Sequence, residues 1–457
     1  MSASFDHEAS RALFLVAHAV FGVLLMEMKF LGLVHAAIVV LLGLRFASRP
    51  ASTPATVGLL SYLVASEVLW RVSGMVPSWE FAKYAFAAVC GVALLRRRSQ
   101  TLIGGLALLY FILLIPATSL TLSQLPLGVA RREIAFNLSG PLALSMGIMY
   151  FSGIRISQIG LQRALFTFAG PVVALLAAAA YHMASFEAIT FNSEAMDQAS
   201  AGFGPNQVSV LLGLGMLSLV VYLLTSRETM RMRIVIGTMA VGMLIQGLLT
   251  FARAGTGAAI ISLLAVGLFL ARSRRHRISL GLLFAGSLLF VQILIPVMNE
   301  YTGGMLQQRY QEVSHSRREI MILADLRVWE EHPLFGSGVG LAKAARSEVY
   351  GTYVTSHTEY SRLVAEHGSL GFVSLGILAF LAVYLVFRAP SGLFRAVTVG
   401  LVLSAVIYMG TNGMRLAVPA FLLGIVSCQW YTGSPSGVPR LLRGPTLAGE
   451  GDGLKPG

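Results

Sequence analysis

The sequence predicts an all-α polytopic membrane protein of about 12–14 transmembrane helices, since a run of roughly 20 apolar residues crosses a bilayer. Three observations carry this reading. The chain is 56% hydrophobic and only 12% charged. Segments such as Thr101 to Ile115, Pro171 to Tyr181, Leu211 to Leu224, Ala258 to Leu270 and Leu280 to Val297 are nearly free of charge. The charges that do occur fall in short clusters between such segments. A backbone in lipid must satisfy its polar groups within its own segment, so the spans are read as helices.

Residues 1–297 read as a transmembrane region with short loops. It opens on Ala12 to Glu27, a short span, and Phe81 to Leu95 is another. Asp6, His7 and Glu8 precede the first apolar run without the basic region and cleavage site of a secretory signal, so the first span is expected to stay. Cys90 and Cys428 fall in predicted spans and suggest neither a disulfide framework nor a metal site. Residues 298–368 form one long polar interval, 369–431 return to apolar helices, and 432–457, rich in Gly, Pro, Ser and Arg, read as a disordered cytoplasmic tail.

The net charge of +13 invites a nucleic-acid reading, which the placement of the basic residues excludes. Arg96 to Arg98, Arg155 with Arg163, Arg227 with Arg231 and Arg233, Arg272 to Arg277, and Arg388 with Arg395 fall at alternate connections. Cytoplasmic loops carry such a bias. Both termini then lie inside, and the intervening connections, including the long interval, face outward.

Outward arginines resist that bias and are therefore informative. Arg131, Arg132, Arg253 and Arg415 lie in outward connections near span ends; Arg309, Arg317, Arg318, Arg327, Lys343, Arg346 and Arg362 belong to the long interval. Arg253 sits in a turn between two spans that is too short to be a domain. It reads either as a docking point for a phosphate or pyrophosphate, held by a fork of donors and a permanent charge, or as an arginine snorkelling to the interface.

In the long interval, acidic residues nearly balance the basic ones, so it is not a polybasic lipid patch. Ser316 to Glu331 places Ile320, Leu323 and Val328 near helical spacing, which predicts an amphipathic helix with most of its charges on a solvated face. His332-Pro333 ends it. Gly336, Gly338 and Gly340 then permit close backbone approach to another segment or a ligand, without the strand-turn-helix context of a nucleotide fingerprint. His357 reads as a general base near neutral pH or as a structural hydrogen-bonding group. His367, flanked by turn residues, has only its type to recommend it.

The ordered set of the Arg253 turn, His332-Pro333-Leu334-Phe335-Gly336-Ser337-Gly338-Val339-Gly340, His357-Thr358-Glu359-Tyr360 and Glu366-His367-Gly368 resembles the O-antigen ligase and O-antigen polymerase superfamily of bacterial envelope proteins. The resemblance covers roughly residues 203–387, and the run from Gly202 to Asn206 looks like that family's glycine-led run ending in Pro-Asn. It implies a C-type membrane glycosyltransferase fold with one large periplasmic loop. It also implies transfer of a glycan from undecaprenyl pyrophosphate to lipid A-core, another glycan or a protein, at the periplasmic face of the bacterial inner membrane.

By the same resemblance Arg253 holds the pyrophosphate, Arg318 matches the arginine ahead of the His-Pro pair, and His357 matches the histidine that activates the acceptor. His357 and Glu366 are thus the catalytic candidates. The substrate-binding candidates are Arg253, Arg318, Arg131, Arg132, Asn206, Arg317, Gly336, Gly338 and Glu359. The chain departs from the family where a tryptophan is common, at Met321-Ile322, and where an arginine precedes the Pro-Asn run, at Asp197 and Gln198; Thr358 replaces Asn or Ser. Arginines stand where other glycosyltransferases use a divalent metal, so no cofactor is expected. A transporter would show mid-span charges and matched broken halves, and a scaffold would leave the outward arginines unexplained; ligation is favoured over polymerisation.

Overall fold

The computed structural model describes residues 2–97, 101–192, 194–271, 281, 292–311, 315–350, 356 and 358–431. Among them, eleven helices are long and apolar enough to cross a membrane. The expected span from Leu280 to Val297, the basic cluster from Arg272 to Arg277 and the tail 432–457 lie wholly or largely outside the described residues.

The first half comprises α1 (Ser2–Glu27), α2 (Phe30–Ala47), α3 (Thr53–Ser73), α4 (Phe81–Arg97), α5 (Leu102–Ile112) with α6 (Ala117–Gln124), α7 (Leu127–Ser152) and α8 (Gln158–Ala184). Pro116 separates α5 from α6, as a residue without an N–H does; together they form one span. Then come α9 (Pro205–Thr225), α10 (Met230–Leu249), α11 (Arg253–Ala271) and α12, described over residues 292–301. The long polar interval holds α13 (Met305–Gln311), α14 (His315–Glu331) and α15 (Ala342–Tyr350). The chain closes with α16 (Glu359–Arg388), α17 (Leu393–Asn412) and α18 (Val418–Ser427).

Every residue of the short α18 is buried, so this apolar helix is packed inside the bundle and touches no lipid. One departure from an all-helical chain is small. β1 (Arg155–Ser157) pairs in parallel with β2 (Gln429–Tyr431) and ties the end of α18 to the α7–α8 connection. Small residues set the helix spacing, as they do in membrane bundles. A Cβ on Gly213 of α9 would stand 2.5 Å from the Gly255 carbonyl oxygen of α11, so these two helix starts are in backbone contact.

The connections sort to two ends, as the alternation of basic clusters predicts. At one end, Arg11 pairs with Glu228, Thr229 donates to Glu8 (2.6 Å), Gln162 donates to the Thr225 carbonyl (2.5 Å) and Arg388 to the Ser427 carbonyl (3.3 Å). At the other end, the connections after α8, α10 and α17 meet the long interval. The interval is shorter than its composition suggests, because α16 already begins at Glu359 and Gly368 lies within it. Gly368 (φ 59°, ψ −137°) kinks α16, so a spanning helix is headed by charged residues that read as loop.

The predicted amphipathic helix is present as α14, rotated from its expected face. Val328 is buried, but Ile320 and Leu323 are exposed (38% and 57%). Met321, Ala324, Asp325 and Val328 form the buried stripe. Their i, i+3, i+4, i+7 spacing is the helical one, and it escapes a hydrophobic reading because one of the four is a carboxylate.

Candidate functional site

The glycine run is built around the kink of α16. In an unbroken helix the Ser369 N–H would bond to the Ala365 carbonyl; here it goes to Pro333 (2.8 Å). The carbonyls released by the kink are met from the run, where the Ser337 N–H donates to Ala365 (2.9 Å) and the Gly338 N–H to Glu366 (3.2 Å). This satisfies buried backbone acceptors that would otherwise be orphaned. Gly336 has φ +70°, and a Cβ there would stand 2.3 Å from the Glu366 carbonyl carbon. The close approach expected of the run is therefore real, but it is to α16, α6 and α7. Gly336 and Gly338 are buried against protein, so as ligand-binding candidates they are corrected to a strap that fixes the wall of a cleft.

That wall carries Glu359, Arg362 and Glu366, three and four residues apart on one face of α16. Arg362 pairs with Glu359 and donates to Glu366 at 2.7 Å, while its other contacts reach the Asn137 side chain and carbonyl of α7 at 3.5 and 3.4 Å. Lys343 pairs with Glu133 (2.5 Å) and Arg346 with Asp325 (2.7 Å). Asp325 also accepts from Ser361 (2.6 Å) and Ser356 (3.4 Å). Asp325, Arg346, Glu359, Arg362 and Glu366 are all buried; within α14 Asp325 is the exception to the solvated charged face, on which Glu319, Arg327, Glu330 and Glu331 lie. Burial is tolerated because each charge finds an opposite one with good geometry.

Lys83, Lys343, Arg346, Arg362 and Arg415 converge on a small cleft with Glu359, Glu366 and Asn137. Behind it lies a second buried network. Arg71 of α3 donates to Glu67 (2.5 Å), to Gln207 of α9 (2.7 Å), and to the carbonyls of Trp79 (2.8 Å) and Arg415 (2.9 Å). Its guanidinium lies over the Trp79 ring at 4.6 Å, and Glu67 accepts the Ala417 N–H at 2.7 Å. The 413–417 connection is thereby held against α3. Burial pulls the Arg415 guanidinium below its ordinary pKa, the Tyr408 hydroxyl opposes this, and nearby Arg71 adds to it.

The predicted site residues divide into groups. Glu359 and Glu366 line the cleft. Arg253 is the first residue of α11 and is half-buried, beside Tyr310. Asn206 is half-buried in the first turn of α9, next to Gln207. These two helix starts are joined where Ser209 donates to the Ala252 carbonyl (2.7 Å). Neither Arg253 nor Asn206 lines the cleft; Gln207 and Arg71 connect their surroundings to it. Arg131 and Arg132 are exposed on the first turns of α7, whose Asn137 faces the cleft, so the structure separates them from it. Arg317 and Arg318 lie in α14, and their side chains are outside the described residues. His357 is likewise outside; its neighbour Ser356 lines the cleft, and Thr358 caps α16 by accepting the Tyr360 N–H (3.3 Å). His367 sits in α16 just before the kink and is fully buried, where a turn was expected.

Sequence reasoning missed Glu67, Arg71 and Lys83. The signal was present: ionisable residues inside apolar segments are expensive and mark function, and Glu67 and Arg71 stand four apart, as a helical ion pair does.

Residues 238–376 match the family model described as O-antigen ligase. No curated protein matches the chain closely enough to name a relative. The matched stretch takes in Arg253, the glycine strap, Glu359 and Glu366; Glu67, Arg71, Lys83, Asn137 and Arg415 lie outside it.

Proposed function

We propose, on the premise that residues 238–376 place this chain in the O-antigen ligase superfamily, that it transfers a glycan from undecaprenyl pyrophosphate to a lipid A-core or other polysaccharide acceptor at the periplasmic face of the bacterial inner membrane. The observation that carries this reading is the convergence of five cations on one cleft, at the same end of the bundle as Arg253. A sugar pyrophosphate already has a competent leaving group. The protein must stabilise the charge that develops on it and take a proton from the acceptor.

In this reading the acceptor hydroxyl oxygen attacks the anomeric carbon, the bond from that carbon to the phosphate oxygen breaks, and undecaprenyl pyrophosphate leaves. Arg253 and the cleft cations hold the pyrophosphate, with Arg318 as a further contact, and His357 accepts the acceptor proton. Glu366, already engaged by Arg362, keeps that guanidinium aimed into the cleft. Glu359 does the same from the other side and accepts the Met414 N–H (3.3 Å).

The test is the envelope glycan profile of a deletion strain, read together with its lipid-linked pool. Full-length polymer accumulating on the carrier, with none on its acceptor, is the expected result. Single repeats on both carrier and acceptor would make the protein a polymerase, and unchanged glycans and pools would remove the transferase reading. In complementation, Arg253→Ala and His357→Ala are expected to keep normal abundance and lose transfer by about 100-fold or more. Normal activity in both would dismiss these roles.

A further inference from the structure

We propose that Lys83 is a phosphate-binding residue of the donor site, its ammonium holding a pyrophosphate oxygen of the lipid-linked donor from the α4 wall of the cleft. This rests on the functional reading above and adds a residue outside the matched stretch.

Lys83 is the third residue of α4, 1% exposed, and faces the cleft. Among the described residues its ammonium makes no hydrogen bond and no ion pair; its one contact is the face of the Phe136 ring, at 5.8 Å from the centroid. Of the carboxylates near it, Glu67 holds Arg71 and the Ala417 N–H, Glu359 holds Arg362, and Glu80 makes no ion pair with it. Removing an ammonium from water without a partner is costly, and an aromatic face returns only part of the loss. Lys343, Arg346 and Arg362 each already have a carboxylate partner; among the described residues Lys83 has none.

The ligand class follows from what stands opposite. Arg415, which also donates to the Ser356 carbonyl (3.4 Å), faces the same cleft from the 413–417 connection, so two cations from distant parts of the chain look onto one space. A single carboxylate would occupy one of them. A pyrophosphate, with anionic oxygens on two phosphorus atoms, can occupy both, and lysine serves phosphate as a compact point charge.

The test uses the full-length protein in lipid nanodiscs, titrated with sugar-free undecaprenyl pyrophosphate. K83M is expected to weaken binding about 10- to 100-fold, the value of one charge-assisted hydrogen bond, and K83R to stay within a few-fold of wild type. Without ligand, K83M is expected to unfold at the same temperature as wild type or higher, because a buried unpaired charge has been removed. Wild-type affinity in K83M, or a loss of ligand-free stability in K83M that K83R restores, would overturn the proposal and make Lys83 a structural counter-ion. A wild-type protein that fails to bind undecaprenyl pyrophosphate would instead overturn the functional reading, and this proposal with it.

Discussion

Asp325 occupies a position on α14 where the helical pattern calls for an apolar side chain, and it is fully buried. Arg346 and the hydroxyls of Ser356 and Ser361 account for its carboxylate. Breaking such a pair from one side leaves an uncompensated buried charge and costs about 3–5 kcal/mol. Asp325→Leu is therefore expected to lower the thermal stability of the purified protein sharply, and the double variant Asp325→Leu/Arg346→Met to recover most of the loss. A double variant whose loss equals the sum of the two single losses would mean that the two residues act independently. Arg71 makes a parallel case at a single residue. Its guanidinium serves four acceptors at once, a geometry that lysine's point charge cannot copy. Arg71→Lys is expected to keep the protein folded yet reduce transfer, by loosening the connection that carries Arg415; wild-type transfer would detach this network from the site.

Among elements, the glycine strap and the kinked head of α16 form one unit. Neither makes sense alone, since the kink frees carbonyls that only the strap satisfies. Gly336→Ala incurs about 1–2 kcal/mol of left-handed backbone strain and drives a methyl into the α16 backbone. The expected outcome is faster cleavage of the long interval in limited proteolysis, with the bundle helices still protected. Unchanged protection would show that the strap tolerates a side chain. The presence of a close approach was legible in the Gly-x-Gly-x-Gly spacing, but its partner was not. The partner lies about thirty residues on, and nothing in a local pattern encodes which backbone will fold back onto it. The same limit misplaced the face of α14: hydropathy reads Ile320 and Leu323 as core, whereas packing chose the stripe containing a carboxylate.

At the scale of the whole molecule, the two ends of the bundle can be assigned to two sides of a membrane. Ala344 is exposed in the long interval and Ser391 in the α16–α17 connection, while the native Cys90 and Cys428 are buried and give little background. A cysteine at position 344 is expected to react with a membrane-impermeant thiol reagent in intact spheroplasts, and one at position 391 only after lysis. The reverse pattern would invert the proposed orientation.

Composition alone determined that this chain is a helical membrane protein, because a bilayer accepts few backbone solutions. The alternation of basic clusters likewise determined which connections share an end. The ordered motifs pointed to the O-antigen ligase family and singled out Glu366 as a catalytic candidate and Glu359 as a substrate-binding one. Only the tertiary structure decided which charges pair. It brought α4, α7, α15, α16 and the 413–417 connection around one cleft and joined Glu67 and Arg71 to Arg415 across most of the chain length. It also buried Lys83 beside the Phe136 ring at the cleft. The reason is physical: a span's apolar character is a property of its own residues, whereas the worth of a buried charge depends on which opposite charge folding brings to it.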